Sequence, residues 1–368
     1  MGSGFHQKSQ AYGNFFAVDL IDIAPTSPFE PIQYHTKMSL PPVCTVQAQP
    51  SEEKERRCNA TSATEFVLLG LLKHTKVHTI FLAMILLASI TAFSGNALLM
   101  FLILMDSSLH TPMYFFLRQL AFMDMGPSLI VIPKMSMDFL ILGNTISLAL
   151  CGTQIFFLLM MGGAEGLLLA VMSYDRYVAI CNPFQYPILM NRKMCMSLAA
   201  AVWICATVNA SIHTAYTMHL PYCGSKDIDH FFCEVPALLK LSCSDTSIYE
   251  TLVFMSSIVL LLIPFSIILA SYTCILSTVL RMKSARGQQK ALATCSSHLT
   301  VVGLYYGATI FMYIRPNTYH SPEQDKMVAV FYTVVTPVLN PVIYSLRNRD
   351  VLQALIKLAG KCRVLHQN

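Results

Sequence analysis

Charge is scarce in this chain: Asp, Glu, Lys and Arg make up 12% of its 368 residues, while 54% are hydrophobic. A soluble protein of that length needs about twice as much charge to cover its surface. The net charge is only +5, and no basic stretch is interleaved with aromatics, which argues against nucleic-acid binding. No stretch alternates apolar and polar residues, so a membrane barrel is excluded. No internal repeat or pair of broken helices points to a transporter. Catalytic signatures are missing too. His213, His219 and His298 are scattered, none beside a Ser or Cys with a third partner, and no metalloprotease or phosphate-loop motif occurs, so an enzyme is not expected and no cofactor is called for.

What is present in quantity is long apolar sequence. Seven stretches can cross a hydrocarbon core, which takes about 20 residues each: Thr79–Met105, Met113–Leu140, Leu148–Ile180, Cys195–Met218, Ser247–Leu280, Gln288–Ile314 and Lys326–Leu346. Pro127, Pro133, Pro264, Pro337 and Pro341 fall inside them, which membrane helices tolerate. The expected fold is an all-α seven-transmembrane bundle, followed by a short amphipathic eighth helix.

Orientation follows from Lys and Arg. Arg192, Lys193, Arg281, Lys283, Arg286 and Lys290 cluster after spans three and five, and Arg347, Arg349, Lys357, Lys361 and Arg363 in the tail. The opposite loops mix Lys226, Lys240 and Lys326 with seven acidic residues. The positive-inside rule predicts an extracellular amino terminus and a cytoplasmic carboxyl terminus at the plasma membrane. The domains expected are a disordered extension at 1–58, a membrane domain at 59–347 and a cytoplasmic helix and tail at 348–368. The extension is polar and ends in the charged run Ser51–Arg57. It lacks a secretory signal, so the first span serves as the insertion signal. Asn59-Ala-Thr61 is a glycosylation sequon on the predicted outer side.

Of twelve cysteines, Cys151, Cys223, Cys233 and Cys243 fall at or beyond the predicted outer surface, where disulfides persist. Four cysteines allow three pairings, and spacing alone does not choose. Cys181, Cys195, Cys205, Cys274, Cys295 and Cys362 read as free thiols. His230, Cys233 and Glu234 could hold a metal, but a disulfide is the stronger reading for a cysteine in an oxidising loop.

Ionisable residues inside a membrane are functional candidates. Asn96, Asp124, Glu165 and Asn340 lie in spans one, two, three and seven. On span three Cys151, Leu158, Gly162, Glu165, Leu169, Met172 and Arg176 recur three, four or seven apart, so they share one helical face, which must look into the bundle. Asp124 and Glu165 could share a proton, waters or a cation such as sodium, or be protonated carboxyls hydrogen-bonded to neighbours. The run Met172-Ser-Tyr-Asp-Arg-Tyr-Val-Ala-Ile-Cys181 puts Asp175 and Arg176 at a membrane edge, a position that demands a function or a partner.

These motifs recur in one order along the chain: Gly95-Asn96, the Leu-His-Thr-Pro-Met-Tyr-Phe-Phe-Leu run at 109–117, Pro133-Lys134, the 172–181 run, Ser271-Tyr272, the Lys-Ala-Leu-Ala-Thr-Cys-Ser-Ser-His-Leu run at 290–299, Tyr306-Gly307, and Pro337 through Asn348. In this set the sequence resembles the olfactory (odorant) receptors of the rhodopsin-like G-protein-coupled receptor superfamily, in the style of their tetrapod-type class.

The resemblance implies Cys151–Cys233 and Cys223–Cys243 disulfides. It implies a small volatile ligand held between helices, and a stimulatory heterotrimeric G protein that raises cyclic AMP. Leu158, Leu159, Gly162, Gly163, Tyr306, Thr309, Tyr313 and Thr333 are the expected pocket residues, with ordinary helix packing the alternative for each. The implied switch has Arg176 held by Asp175 at rest, Tyr272 and Tyr344 supporting the open form, and Asp124, Glu165 and Asn340 relaying between layers. Trp203 matches a structural position of the family. Three positions depart from the family pattern: Arg118 in place of Ser, Gly303 in place of Ser and Tyr305 in place of Phe. An acidic residue at the level of Leu158, usual for amine receptors, is absent. So is the deep span-seven Lys of a light receptor, since Lys326 sits at the span's end. The extension before the sequon has no counterpart in typical members; a start at Met38 would shorten it.

Overall fold

The computed structural model describes residues 65–71, 76–141, 143–222, 225–313, 321–346 and 349–365. The readings made for residues 1–58, for Asn59 and for Cys223 fall outside them.

Seven rods and one trailing helix dominate the described residues. They are α1 (Lys76–Met105), α2 (Pro112–Ile141), α3 (Leu148–Cys181), a short turn α4 (Tyr186–Leu189), and α5 (Arg192–His219). The short α6 (Val235–Leu239) follows in the next loop. Span five joins α7 (Ser247–Ser257) to α8 (Ile263–Leu280); span six is α9 (Ala285–Tyr313); span seven joins α10 (Pro322–Val330) to α11 (Thr336–Leu346). The amphipathic α12 (Arg349–Leu365) closes the chain, burying Val351 and Ala354 while Leu352 and Ile356 stay exposed.

Six of these rods are long and apolar enough to cross a membrane, among the described residues. The remaining one, α9, is 29 residues long but carries Arg286, Gln288, Gln289, Lys290, Ser296, Ser297 and His298 in its first half. It packs against α3, α8 and α11 and completes the bundle of seven expected from the sequence.

Spans five and seven each contain a π-helical turn, at Ile258–Leu262 and Phe331–Val335. Both turns end two residues before a proline, Pro264 and Pro337. Proline cannot donate to the carbonyl one turn back, and a widened turn accommodates the lost bond. Asn96 ties span one to span seven, donating to the carbonyls of Ala92 at 2.9 Å and Pro337 at 3.0 Å.

Span one is apolar all round, yet Leu82, Ile85, Ser89, Ala92, Asn96, Leu99 and Ile103 are buried at alternating separations of three and four. That seam faces the bundle, while Ile80, Leu87, Ile90 and Leu104 are exposed where lipid would lie. Helix α3 is central, packing on α2, α5, α8 and α9. Helix starts are set locally: Ser147, Asn191 and Ser321 each accept from a backbone N–H of the first turn.

A three-stranded sheet caps one end, a feature outside the all-helical expectation. Strand β1 (Glu65–Leu68) lies between β2 (Thr145–Ser147), antiparallel, and β3 (Asp227–Ile228), parallel. Phe66, Leu68, Ile146 and Ile228 are buried beneath it with Cys151, Ile155, Cys233 and Tyr249. Short edge strands over an apolar cluster hold the loops across the bundle's mouth.

Candidate functional site

Beneath this cap lies a cavity of about 160 Å³ between spans two, three, four, five, six and seven. An engineered protein cavity of about 150 Å³ holds benzene, so the space suits a small organic molecule. The Cys151–Cys233 disulfide forms as expected, with Cα atoms 5.3 Å apart. It fastens the 225–243 loop to the top of α3, so that Phe232, Cys233, Glu234, Val235 and Pro236 become the roof. Gln154 reinforces the join: its amide donates to the Ile130 carbonyl at 3.2 Å and its carbonyl accepts from the Cys233 N–H at 3.1 Å. Cys243 is also disulfide-bonded. Across the roof Lys326 donates to Asp229 at 2.5 Å and Tyr332 to Glu234 at 3.0 Å. His230 lies 3.5 Å from Glu234, wedged between Phe231 and Phe232. Burial, with the Lys326 charge adding to it, holds the His230 imidazole down to about 3. With Cys233 in a disulfide, the metal reading of that trio lapses.

Of the eight expected pocket residues, Leu158, Leu159, Gly162, Gly163, Thr309 and Thr333 line the cavity. A Cβ added at Gly162 would meet nothing within 4 Å, so this glycine opens the wall to the ligand space. Tyr306 does not line it. Its hydroxyl donates to the Gly166 carbonyl at 2.9 Å, and the ring is buried against Phe265 and Tyr305. The neighbouring Tyr305 faces the cavity instead and donates to the Gly162 carbonyl at 2.6 Å. One step along a helix turns a side chain by about 100°, which is enough to exchange the two roles. The side chain of Tyr313 lies outside the described residues. Asn209 and His213 on span four, Val253, Ser256, Ser257 and Leu260 on span five, and the roof residues also line the cavity and were not singled out as pocket residues. The separation of Asn209 and His213 by four on one face of α5 was the available signal.

Under the cavity floor Asn340 donates to both Asp124 oxygens, at 2.9 and 3.0 Å. Glu165 of α3 itself lines the cavity. Buried oxygens of Asn96, Glu165, Thr336 and Asn340 lack a hydrogen-bond donor there, and such acceptors could serve a shared proton, water or a monovalent cation.

At the far end the Asp175–Arg176 arrangement differs from the expected mutual latch. Asp175 is buried and accepts from the Tyr186 hydroxyl of α4 at 2.9 Å. Arg176 makes no ion pair among the described residues, and its guanidinium is directed at the Met113 sulfur. Residues next to each other on a helix point about 100° apart, so Asp175 and Arg176 turn to different partners. Tyr272 hydrogen-bonds His298 at 2.8 Å across spans five and six. Tyr344 is buried with its hydroxyl unpartnered among the described residues.

The three departures have visible settings. Arg118 lies over the Phe115 ring at 5.7 Å. Gly303 meets open space, and Tyr305 adds the bond to span three. Trp203 donates to Gln119 at 3.2 Å, a structural role.

A seven-helix membrane bundle with a disulfide-pinned loop over an apolar interhelical cavity defines the G-protein-coupled receptor class. Residues 83–361 match the family model described as olfactory receptor. The chain is 52% identical to olfactory receptor 2V1 of Mus musculus over 310 residues, 84% of this chain and 98% of that protein. It is 50% identical to olfactory receptor 2V1 of Homo sapiens over 313 residues, covering 85% and 99%. Olfactory receptor 2Z1 of Homo sapiens is 50% identical over 303 residues, covering 82% and 96%. The chain belongs to the olfactory receptor family, and so to multi-pass membrane receptors rather than enzymes.

Proposed function

We propose that this receptor binds a small volatile odorant in the cavity beneath the sheet cap and activates a stimulatory heterotrimeric G protein, raising cyclic AMP. The observation that carries the proposal is a mostly apolar cavity lined by Glu165, on the helix that leads to Arg176 and over the buried Asp124–Asn340 pair. In this reading the cap is extracellular, α12 is cytoplasmic and lipid surrounds the rods, an orientation that the distribution of Lys and Arg supports. Leu158, Leu159, Gly162, Gly163, Thr309 and Thr333 contact the odorant. Asp124 and Glu165 hold a proton or a sodium ion that the odorant-bound state rearranges.

An odorant activates only through its extra affinity for the active arrangement. Repacking at Tyr305 and Tyr306, which bond spans six and three, is transmitted by rigid helices to the cytoplasmic end. There span six swings outward, Tyr272 exchanges His298 for a new partner with Tyr344, and Arg176 is freed to meet the G protein. Asp175 stays on Tyr186, holding α4, whose neighbour Phe184 is 96% exposed as an apolar contact for the partner.

The test is odorant-dependent cyclic AMP in cells that carry the receptor at the surface. Arg176→Ala should abolish the response while leaving odorant binding in place. Odorant uptake without any G-protein response would overturn the proposal.

A further inference from the structure

Every polar side chain that lines the upper cavity, with one exception, is already engaged. Ser256 donates to the Val253 carbonyl at 2.9 Å and bonds His213 Nε2 at 2.9 Å, while Tyr249 occupies His213 Nδ1 at 3.1 Å. Ser257, Thr309 and Thr333 each donate to a carbonyl of their own helix, at 2.8, 2.9 and 2.6 Å. Tyr305 and Tyr332 have donated to Gly162 and Glu234. Lower down, Thr336 and Glu165 keep unpartnered oxygens, but these belong to the Asp124–Asn340 cluster.

The exception is Asn209. It lines the cavity and is partly buried, and no group among the described residues hydrogen-bonds its amide. It sits on the inward seam of α5, with Val202, Ala206, Ala210, His213 and Thr217 buried, while Val208 and Ile212 are exposed on the other side. A side-chain amide offers two donors and a carbonyl acceptor. Left unmatched in apolar surroundings, these groups are costly, so the site has a standing demand for a partner.

We propose that Asn209 is the polar anchor of this pocket. It selects an uncharged, oxygen-bearing molecule of about benzene's bulk, an alcohol first and a carbonyl compound second. This rests on reading the cavity as the odorant site. A hydroxyl satisfies the amide twice, accepting from its NH₂ and donating to its carbonyl. A carbonyl oxygen satisfies it once, a thiol only weakly, an ammonium offers no acceptor, and a hydrocarbon offers nothing. The apolar body lies against Leu158, Leu159, Val253 and Leu260. An anion is disfavoured by Glu165 and Glu234 in the same wall, since the amide has no charge to offset its burial.

The probes are one ring with five substituents: benzyl alcohol, benzaldehyde, benzyl mercaptan, benzylamine and toluene. They are read by thermal stabilisation of the purified full-length receptor and, separately, by cyclic AMP in cells. Benzyl alcohol should stabilise the receptor most and benzaldehyde next. Asn209→Leu, close in size and apolar, should weaken the alcohol about tenfold to a hundredfold, from the loss of one or two hydrogen bonds, and leave toluene unchanged or tighter. If Asn209→Leu does not fold, Asn209→Thr should keep a reduced preference for alcohol over toluene. Toluene, mercaptan or amine equal to the alcohol in the parent receptor would overturn the proposal. So would an alcohol response indifferent to both variants, or the absence of stabilisation by any probe. Stabilisation that depends on Asn209 without cyclic AMP would sink the signalling proposal and leave this one standing.

Discussion

Tyr305→Phe removes one oxygen and tests whether the contact between spans six and three is part of the resting state. The Tyr305 hydroxyl donates to the Gly162 carbonyl at 2.6 Å, from a ring that is 6% exposed. The approach is close: a Cβ on Gly166 would stand 2.8 Å from that same hydroxyl oxygen. Gly162 lies inside α3, so its carbonyl keeps an intrahelical donor after the change and no orphaned group is left. Losing this bond costs about 1 kcal/mol net. If the outward swing of span six breaks this bond, the variant destabilises only the resting form. Since about 1.4 kcal/mol is tenfold in an equilibrium constant, the active fraction without ligand should rise about fivefold. The assay is basal cyclic AMP at matched surface expression, with the maximal response as the internal control. Basal signalling that is unchanged would mean the bond survives in both states. Basal signalling that falls would mean it belongs to the active one. Either result refutes the reasoning.

Three other outcomes follow from the same geometry. Gly162→Leu places a side chain where a Cβ meets nothing within 4 Å and fills part of a cavity of about 160 Å³; agonist potency should drop at least about tenfold with surface expression retained, and unaltered potency would place the ligand elsewhere. Cys233→Ser opens a loop closed across 82 residues, a loss of about 4.5 kcal/mol, to be read as lost surface expression or a lower thermal midpoint. His230, held to about 3 by burial, is neutral when folded and binds a proton more readily when unfolded. Its contribution is complete above the ordinary histidine value near 6.5 and drains away as pH falls from there toward 3. Acidifying the purified receptor from neutral to about pH 5.5 should therefore destabilise it by up to about 1.4 kcal/mol, less whatever the Glu234 carboxylate 3.5 Å away gives back. His230→Phe should remove that slope, and a receptor that gains stability in acid would show the Glu234 pair dominating instead.

The rods were legible because a membrane permits few alternatives: about 20 apolar residues without a partner strand must be helical. The cysteine pairing came with the family resemblance, and a bond between Cys151 and Cys233 forms. What escaped was facing. Span one is apolar on every side, and its inward seam is marked only by Ser89, Ala92 and Asn96. The cap escaped as well, because strands of four, three and two residues leave no periodic signal, and their pairing depends on where the helix ends happen to meet.

The misassigned tyrosine shows why the pocket in particular resists reading from sequence. Tyr305 and Tyr306 are adjacent, chemically identical and both buried, so composition and pattern cannot rank them. Their roles are decided by two carbonyls one turn apart on another helix, Gly162 for the first and Gly166 for the second. Tyr305 reaches the Gly162 carbonyl because Gly166 carries no Cβ in its way. A Cβ at Gly166 would collide with the Tyr305 hydroxyl, whereas one at Gly162 would point into free space. Gly166 is thus a packing glycine and Gly162 a cavity glycine, although both belong to the same small-residue stretch of span three. The same logic applies to Asn209 and His213. Four residues apart on one face, they look interchangeable in sequence, but Tyr249 and Ser256 satisfy His213 and leave Asn209 to the ligand. A binding site in a helical bundle is defined by which polar groups the neighbouring helices leave unanswered. That is a property of pairs of helices, and a single chain read in order does not display it.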